Sequence, residues 1–218
     1  MDAPTRLTAT QVNETEGLDD WRVLLQTLQT SFSTGSMATG VELAARIGAA
    51  ADEADHHPDL TITYPRLHVL LTTHDAGGLT ARDVDLARTI SAIAVELGLT
   101  AEPTTVTQLE IAIDALDLAA VKPFWEAVLG YRPDRDDDIV DPHGRAPAFW
   151  FQQMDAPRPQ RNRIHIDVTV PHDVAESRIA AALEAGGTLV SDDEAPSFWV
   201  LADPEGNEAC ICTWQARD

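Results

Sequence analysis

The sequence predicts an α+β fold in two units: an antiparallel sheet with helices on one face, followed by paired β-α-β-β-β repeats. Short alternating apolar runs interleave with longer segments whose apolar residues recur every three or four positions. That pattern pauses at Ala101-Glu102-Pro103-Thr104-Thr105, a polar, proline-containing stretch after Gly98 that reads as a linker. Beyond it, a strand, a helix and an Asp-Pro-x-Gly turn recur in the same order, the mark of an internal repeat. The expected units are residues 1–100 and 106–218.

In the first unit, Thr8-Ala9-Thr10-Gln11 reads as a capping box opening a short helix that Gly17 ends. Trp21 to Leu28 has strand composition, and Gln29 to Thr34 is expected to pair with it. Gly35-Ser36 interrupts. Val41, Ala44, Ile47, Ala51 and Ala54 then form one apolar stripe of a helix, which Pro58 cannot continue. Leu67, Val69 and Leu71 alternate with Arg66, His68 and Leu70, a strand ending at Thr72-Thr73. Gly77-Gly78 supplies a turn. Thr80-Ala81-Arg82-Asp83 is a second capping box, Val84, Ala87, Ile90, Ala94 and Leu97 are the stripe of its helix, and Gly98 stops it.

In the second unit, Leu109 to Ile113 reads as a strand and Asp117 to Leu129 as a helix, with Pro123 forcing a kink or a late start. Short strands follow around Asp141-Pro142-His143-Gly144 and Phe149-Trp150-Phe151. The plan then recurs: strand Ile164 to Val168, helix Val174 to Ala185, stop Gly186-Gly187, strand Phe198 to Leu201, turn Asp203-Pro204-Glu205-Gly206, strand Asn207 to Cys212.

With 44% hydrophobic residues in 218, either half can build a core. A formal charge of −21, from 36 acidic and 15 basic residues, argues against nucleic acid or an anionic membrane as partner. The one basic stretch, Arg158 to Arg163, reads as a solvated loop. Cys210 and Cys212 lie two apart in a strand-like run, share a face and are poorly placed for a disulfide, so a reducing interior is implied. No signal-like segment follows Met1 and no apolar run approaches a membrane span, so a cytoplasmic protein is expected.

The chemistry concentrates in Asp55-His56-His57-Pro58-Asp59 and in Thr72-Thr73-His74-Asp75-Ala76-Gly77-Gly78-Leu79-Thr80. Both stand at element ends, where a scaffold presents side chains to a ligand, and imidazoles can give and take protons near neutral pH. The bland alternative is an exposed turn, with Asp83 serving only to cap its helix. His68 is expected to face solvent. His143 and His172 receive no role.

The pattern Asp55-His56-His57-Pro58, a strand, then Thr73-His74-x-x-x-Gly78-Leu79-Thr80-x-x-Asp83 resembles the pterin-4a-carbinolamine dehydratase family. The likeness spans residues 5–98 and is most specific over 52–87. It implies loss of water from 4a-hydroxytetrahydrobiopterin, giving quinonoid dihydrobiopterin, by histidine acid/base catalysis with no cofactor. It implies a small pterin substrate and a homo-oligomer. Carried over by position, His56, His57 and His74 are the catalytic histidines and Asp83 the motif acid. Asp52 stands where the family has glutamate, one methylene longer, and Asp55, Pro58, Thr72 and Thr73 flank the substrate. The family's second strand usually carries several aromatics; here only Phe32 remains.

The second unit resembles the glyoxalase-like branch of the vicinal oxygen chelate superfamily, over residues 106–214. Phe124-Trp125-x-x-Val128-Leu129-Gly130-Tyr131, Arg163-x-His165-x-Asp167 and Asp203-Pro204-Glu205-Gly206-Asn207-Glu208 carry the likeness. It implies Glu110, His165 and Glu208 as ligands for Zn²⁺, Mn²⁺ or Fe²⁺, although the first position is often histidine in the superfamily. The alternatives to a dehydratase are therefore a metal-dependent lyase, isomerase or dioxygenase in the second unit, or a non-enzymatic pterin-binding or protein-interaction module. The dehydratase family includes a transcriptional cofactor.

Overall fold

In the computed structural model, residues 4–134, 138–157, 166–170, 173–213 and 215–216 are described. The chain divides into two compact units, Met1–Gln108 and Leu109–Asp218. Among the described residues no helix is long and apolar enough to cross a membrane.

The first unit begins with the capped helix α1 (Ala9–Asn13), where the Thr8 hydroxyl and the Gln11 amide satisfy each other's backbone N–H groups. Strands β1 (Arg22–Leu24) and β2 (Thr27–Ser33) form a tight hairpin. Its turn is Leu25-Gln26, with Leu25 at φ 53°, four residues earlier than the expected break between Leu28 and Gln29. No glycine or asparagine marks that turn; the Thr27 hydroxyl closes it by donating to the Leu24 carbonyl at 2.7 Å. Helix α2 (Met37–Ala54) is capped by Ser36.

The phase of α2 differs from the expected stripe. Gly40, Leu43, Ile47 and Ala51 are buried, while Val41 is 52% exposed. Gly40 scores as no apolar residue, yet the sheet approaches it closely. A Cβ there would meet Ile62 Cγ2 at 3.2 Å. Strand β3 (Asp59–Thr63), not anticipated, pairs antiparallel with β4 (Arg66–Leu71) across Tyr64-Pro65. Its burial only alternates between exposed and half-buried, so it is an edge strand with a weak periodic signal. The sheet order is β1-β2-β4-β3, with β5 (Thr100–Ala101) also on β2.

Helix α3 (Ala81–Glu96) has the anticipated Thr80–Asp83 capping box. Leu67, Val69 and Leu71 of β4 and Leu28 and Phe32 of β2 pack with α2 and α3 in one core. Each such fully buried aliphatic or aromatic side chain contributes about 1.5–3 kcal/mol. Residues opposite in the strand alternation, Gln29, Ser31 and His68, lie on the reverse face. The supposed linker is tied to the sheet. Glu102 N–H donates to the Ser31 carbonyl at 2.7 Å, Gln29 Nε2 donates to Gln108 Oε1 at 2.8 Å, and Arg66 pairs with Glu102 at 2.6 Å. A 3₁₀ turn spans Pro103–Thr105. His68 is consequently half-buried and hydrogen-bonded to Gln29 Oε1 at 3.1 Å, rather than facing solvent.

The second unit contains the β-α-β-β-β plan in each half. The first comprises β6 (Glu110–Ala115), α4 (Leu118–Leu129), β7 (Arg132–Pro133), β8 (Ile139–Val140) and β9 (Ala148–Gln153), in sheet order β6-β9-β8-β7. The second comprises β10 (Ile166–Thr169), α5 (Ala175–Glu184), β11 (Thr188–Ser191), β12 (Phe198–Ala202) and β13 (Glu208–Cys212), in order β10-β13-β12-β11. In both, the first strand runs parallel to the last. Helix α4 runs unbroken from its Asp117 cap through Pro123, which lies on the exposed side, so the start is not late.

The two Asp-Pro-x-Gly turns use their aspartates alike. Asp141 accepts from the N–H groups of His143, Arg145 and Ala146. Asp203 accepts from those of Glu205 and Asn207 and from the indole of Trp125 at 3.0 Å. Glu205 then accepts from the Leu116 and Asp117 N–H groups at the start of α4, joining the two repeats. Phe124, Trp125, Val128, Ile139, Phe149, Leu201 and Ile211 share one core. Cys210 and Cys212 are both buried and are not joined in a disulfide.

Candidate active site

The αL residue Asp55, at φ 47°, ends α2 and turns the chain so that His56 N–H closes back on the Ala51 carbonyl at 3.1 Å. This directs the His56 ring toward α3. There His56 Nε2 lies 2.8 Å from Asp83 Oδ1, with His56 7% and Asp83 0% exposed. The other carboxylate oxygen of Asp83 accepts from the Thr73 hydroxyl at 2.6 Å and the Thr80 N–H at 2.7 Å. Thr73 and Thr80 hydroxyls also meet at 2.8 Å. A carboxylate can only accept, so with Asp83 ionised the shared proton of this pair sits on His56 Nε2.

Asp83 therefore both caps its helix and joins the two halves of the motif. Thr73 precedes His74, and Thr73 and Gly78 bridge across the turn that carries it: Thr73 N–H donates to the Gly78 carbonyl at 3.1 Å. His74 is exposed. His57 is also exposed, and its Nε2 stands 3.1 Å from Asp52 Oδ1, so the shorter acid still reaches its histidine. An ion pair this exposed contributes little stability; its value is orientation. Asp55 is exposed and Pro58 half-buried, while the Thr72 hydroxyl donates to the Gln26 carbonyl at 3.1 Å. A hollow of about 460 Å³ beside His56 is lined by Glu53, Arg82, Asp85 and Thr89 among others.

Thr80 and Gln26 were not singled out as site residues from the sequence. The capping-box pattern signals Thr80. Nothing local signals Gln26, which reaches the motif only through the hairpin.

Residues 5–93 match the family model described as pterin 4 alpha carbinolamine dehydratase, and residues 110–212 match the one described as glyoxalase-like domain. A protein of Aquifex aeolicus named "Putative pterin-4-alpha-carbinolamine dehydratase" is 37% identical over 84 residues, which is 38% of this chain and 85% of that protein. The chain belongs to the pterin-4a-carbinolamine dehydratase family. A relative of the same name from Thermosynechococcus vestitus is 40% identical over 78 residues, 36% of this chain and 82% of its own length. Among solved structures, a transcriptional coactivator/pterin dehydratase from Brucella melitensis is 33% identical, covering 41% of this chain and 99% of that one, with a TM-score of 0.39. A glyoxalase/bleomycin resistance protein/dioxygenase family enzyme from Burkholderia phytofirmans is 18% identical, covering 48% and 95%, with a TM-score of 0.41.

In the glyoxalase-like unit, Glu110 opens β6 and is exposed, and Glu208 opens β13 and is half-buried. His165, with His172 and the basic stretch Arg158 to Arg163, lies outside the described residues. Among the described residues no three His, Cys, Asp or Glu side chains are grouped to hold a metal ion. Glu110 and Glu208 are the two described members of the expected ligand set. On the strand that follows Glu208, burial pushes the Cys210 thiol up to about 12, reinforced by its hydrogen bond to Asp167. Such a thiol is protonated and inert at neutral pH.

Proposed function

We propose that the dehydratase unit removes water from 4a-hydroxytetrahydrobiopterin to give quinonoid dihydrobiopterin. The observation that supports this most is the buried His56–Asp83 pair, tied through Thr73 to the turn bearing His74. It ties together the two sequence segments, each of which also carries an exposed histidine, His57 in the first and His74 in the second.

The chemistry is balanced by proton transfer alone. The C4a–O bond breaks as the N5 lone pair forms the C4a=N5 bond. The leaving hydroxyl takes a proton from an imidazolium, and N5 gives its proton to a neutral imidazole. No electrons are gained or lost overall, so the reaction as written calls on no redox cofactor. His56, His57 and His74 are the groups assigned to exchange these protons, each worth about 10²–10⁴-fold. Asp83 orients His56 among them. Asp52, Asp55, Pro58, Thr72 and Thr73 form the surroundings of the pterin.

The direct test is to generate the carbinolamine in a stopped-flow cell and follow its loss with and without the full chain. Acceleration well above the spontaneous rate is expected. An unchanged rate at micromolar protein would dismiss the activity.

A further inference from the structure

The turn that carries His74 is held from two places. Asp83 holds it at Thr73. At its other end, Arg6 and Gln26 cover Gly78. A Cβ on Gly78 would come within 2.6 Å of Arg6 Nε and 3.2 Å of Gln26 Oε1. Arg6 Nη2 donates to Gln26 Oε1. The backbone next to Arg6 and that of Gln26 are tied to the same stretch. Leu7 N–H donates to the Leu79 carbonyl at 2.7 Å, and the Thr72 hydroxyl donates to the Gln26 carbonyl at 3.1 Å.

Gly77 needs to be glycine for its backbone, at φ 64°. Gly78 is absent from the left-handed region, so a side chain there is resisted by Arg6 and Gln26 rather than by backbone strain. The bridge it makes is the weak point of the turn: Gly78 N–H reaches the Thr73 carbonyl only at 3.4 Å. The guanidinium of the exposed Arg6 and the Gln26 amide lie against the buried Gly78.

We propose that Arg6 is a positioning residue for His74, bracing the Thr73–Gly78 bridge so that the imidazole is presented in one geometry. The inference rests on His74 being a proton-transfer group of the proposed reaction. A displacement of about 1 Å in such a group can cost on the order of 10²-fold in rate.

The test uses the full chain as Arg6→Ala, Gly78→Ala and the double variant, read by turnover and by amide hydrogen exchange. Gly78→Ala evicts the Arg6 side chain while leaving Arg6 in the sequence, so both single changes remove one contact. Each single variant should lower kcat roughly tenfold with a smaller change in KM, and should speed exchange at the Thr73 and Gly78 amides but not at Val69. Because the contact is shared, the double variant should be no worse than either single one. Multiplying losses, an unchanged kcat, or unchanged exchange at Gly78 in both singles each overturns the proposal. If the wild type shows no dehydratase turnover, the proposed function fails. The exchange measurement still decides whether Arg6 braces the turn.

Discussion

At the scale of single residues, Asp83 gathers several groups of the motif on one carboxylate. It receives an imidazole, a hydroxyl and a backbone N–H while fully buried. Removing it leaves the buried His56 imidazole and the Thr80 N–H without their acceptor, so Asp83→Ala should lower unfolding free energy by about 3–5 kcal/mol, measurable by urea denaturation. A loss under about 1 kcal/mol would mean the site relaxes freely. Cys210 offers a pH-dependent counterpart. Its folded-state pKa, about 12, lies above its ordinary value of 9.0. Between those limits the unfolded chain has lost the thiol proton and the folded one has kept it, so deprotonation favours unfolding. Its contribution to stability is intact below pH 9 and declines as pH rises through that window. Tyr131 is also raised, by burial and then by Asp141, so the comparison needs a variant. Thermal melting of Cys210→Ala between pH 8 and pH 11 should fall less steeply than that of the wild type; parallel slopes would contradict the assignment. His68 is the acid-side equivalent: burial lowers its pKa, so the unfolded chain takes up a proton first and stability drops as pH falls below the ordinary histidine value.

At the scale of elements, legibility follows from how much of the physics is local. Both capping boxes, at Thr8–Gln11 and Thr80–Asp83, are formed, because a cap is decided within four residues. The alternation Leu67, Val69, Leu71 is that of a strand buried on one face. Edge strand β3 escaped notice because neither of its faces is fully buried. The buried face of α2 differs from the apolar stripe because it includes Gly40, where the sheet comes close and the informative feature is a missing side chain. In the site, the histidines and Asp83 could be singled out by motif, but the covering of Gly78 by Arg6 could not, since it depends on which turn the first hairpin adopts. The stretch after Gly98 shows the same limit. Its composition reads as a linker, yet Glu102 bonds to the β2 backbone and to Arg66, and Gln108 bonds to Gln29. A fragment ending at residue 100 should therefore be less stable than one ending at 108 by at least about 1 kcal/mol, roughly 4–8 °C in Tm. Equal melting of the two fragments would show those bonds to be dispensable.

At the scale of the whole molecule, each unit has its own core and its own hydrogen-bonded sheets. The dehydratase unit unites its motif through one buried carboxylate, and the glyoxalase-like unit joins its repeats through Asp203 and Glu205. The claim on which the functional account depends is that the paired motif performs histidine acid/base chemistry. The most direct measurement is turnover of 4a-hydroxytetrahydrobiopterin by the full-length His56→Ala, His74→Ala and His68→Ala variants, with melting curves to confirm folding. His56→Ala and His74→Ala should each lose roughly 10²-fold or more, while His68→Ala, on the reverse face of the sheet, stays close to wild type. Small and equal effects from all three would contradict the account.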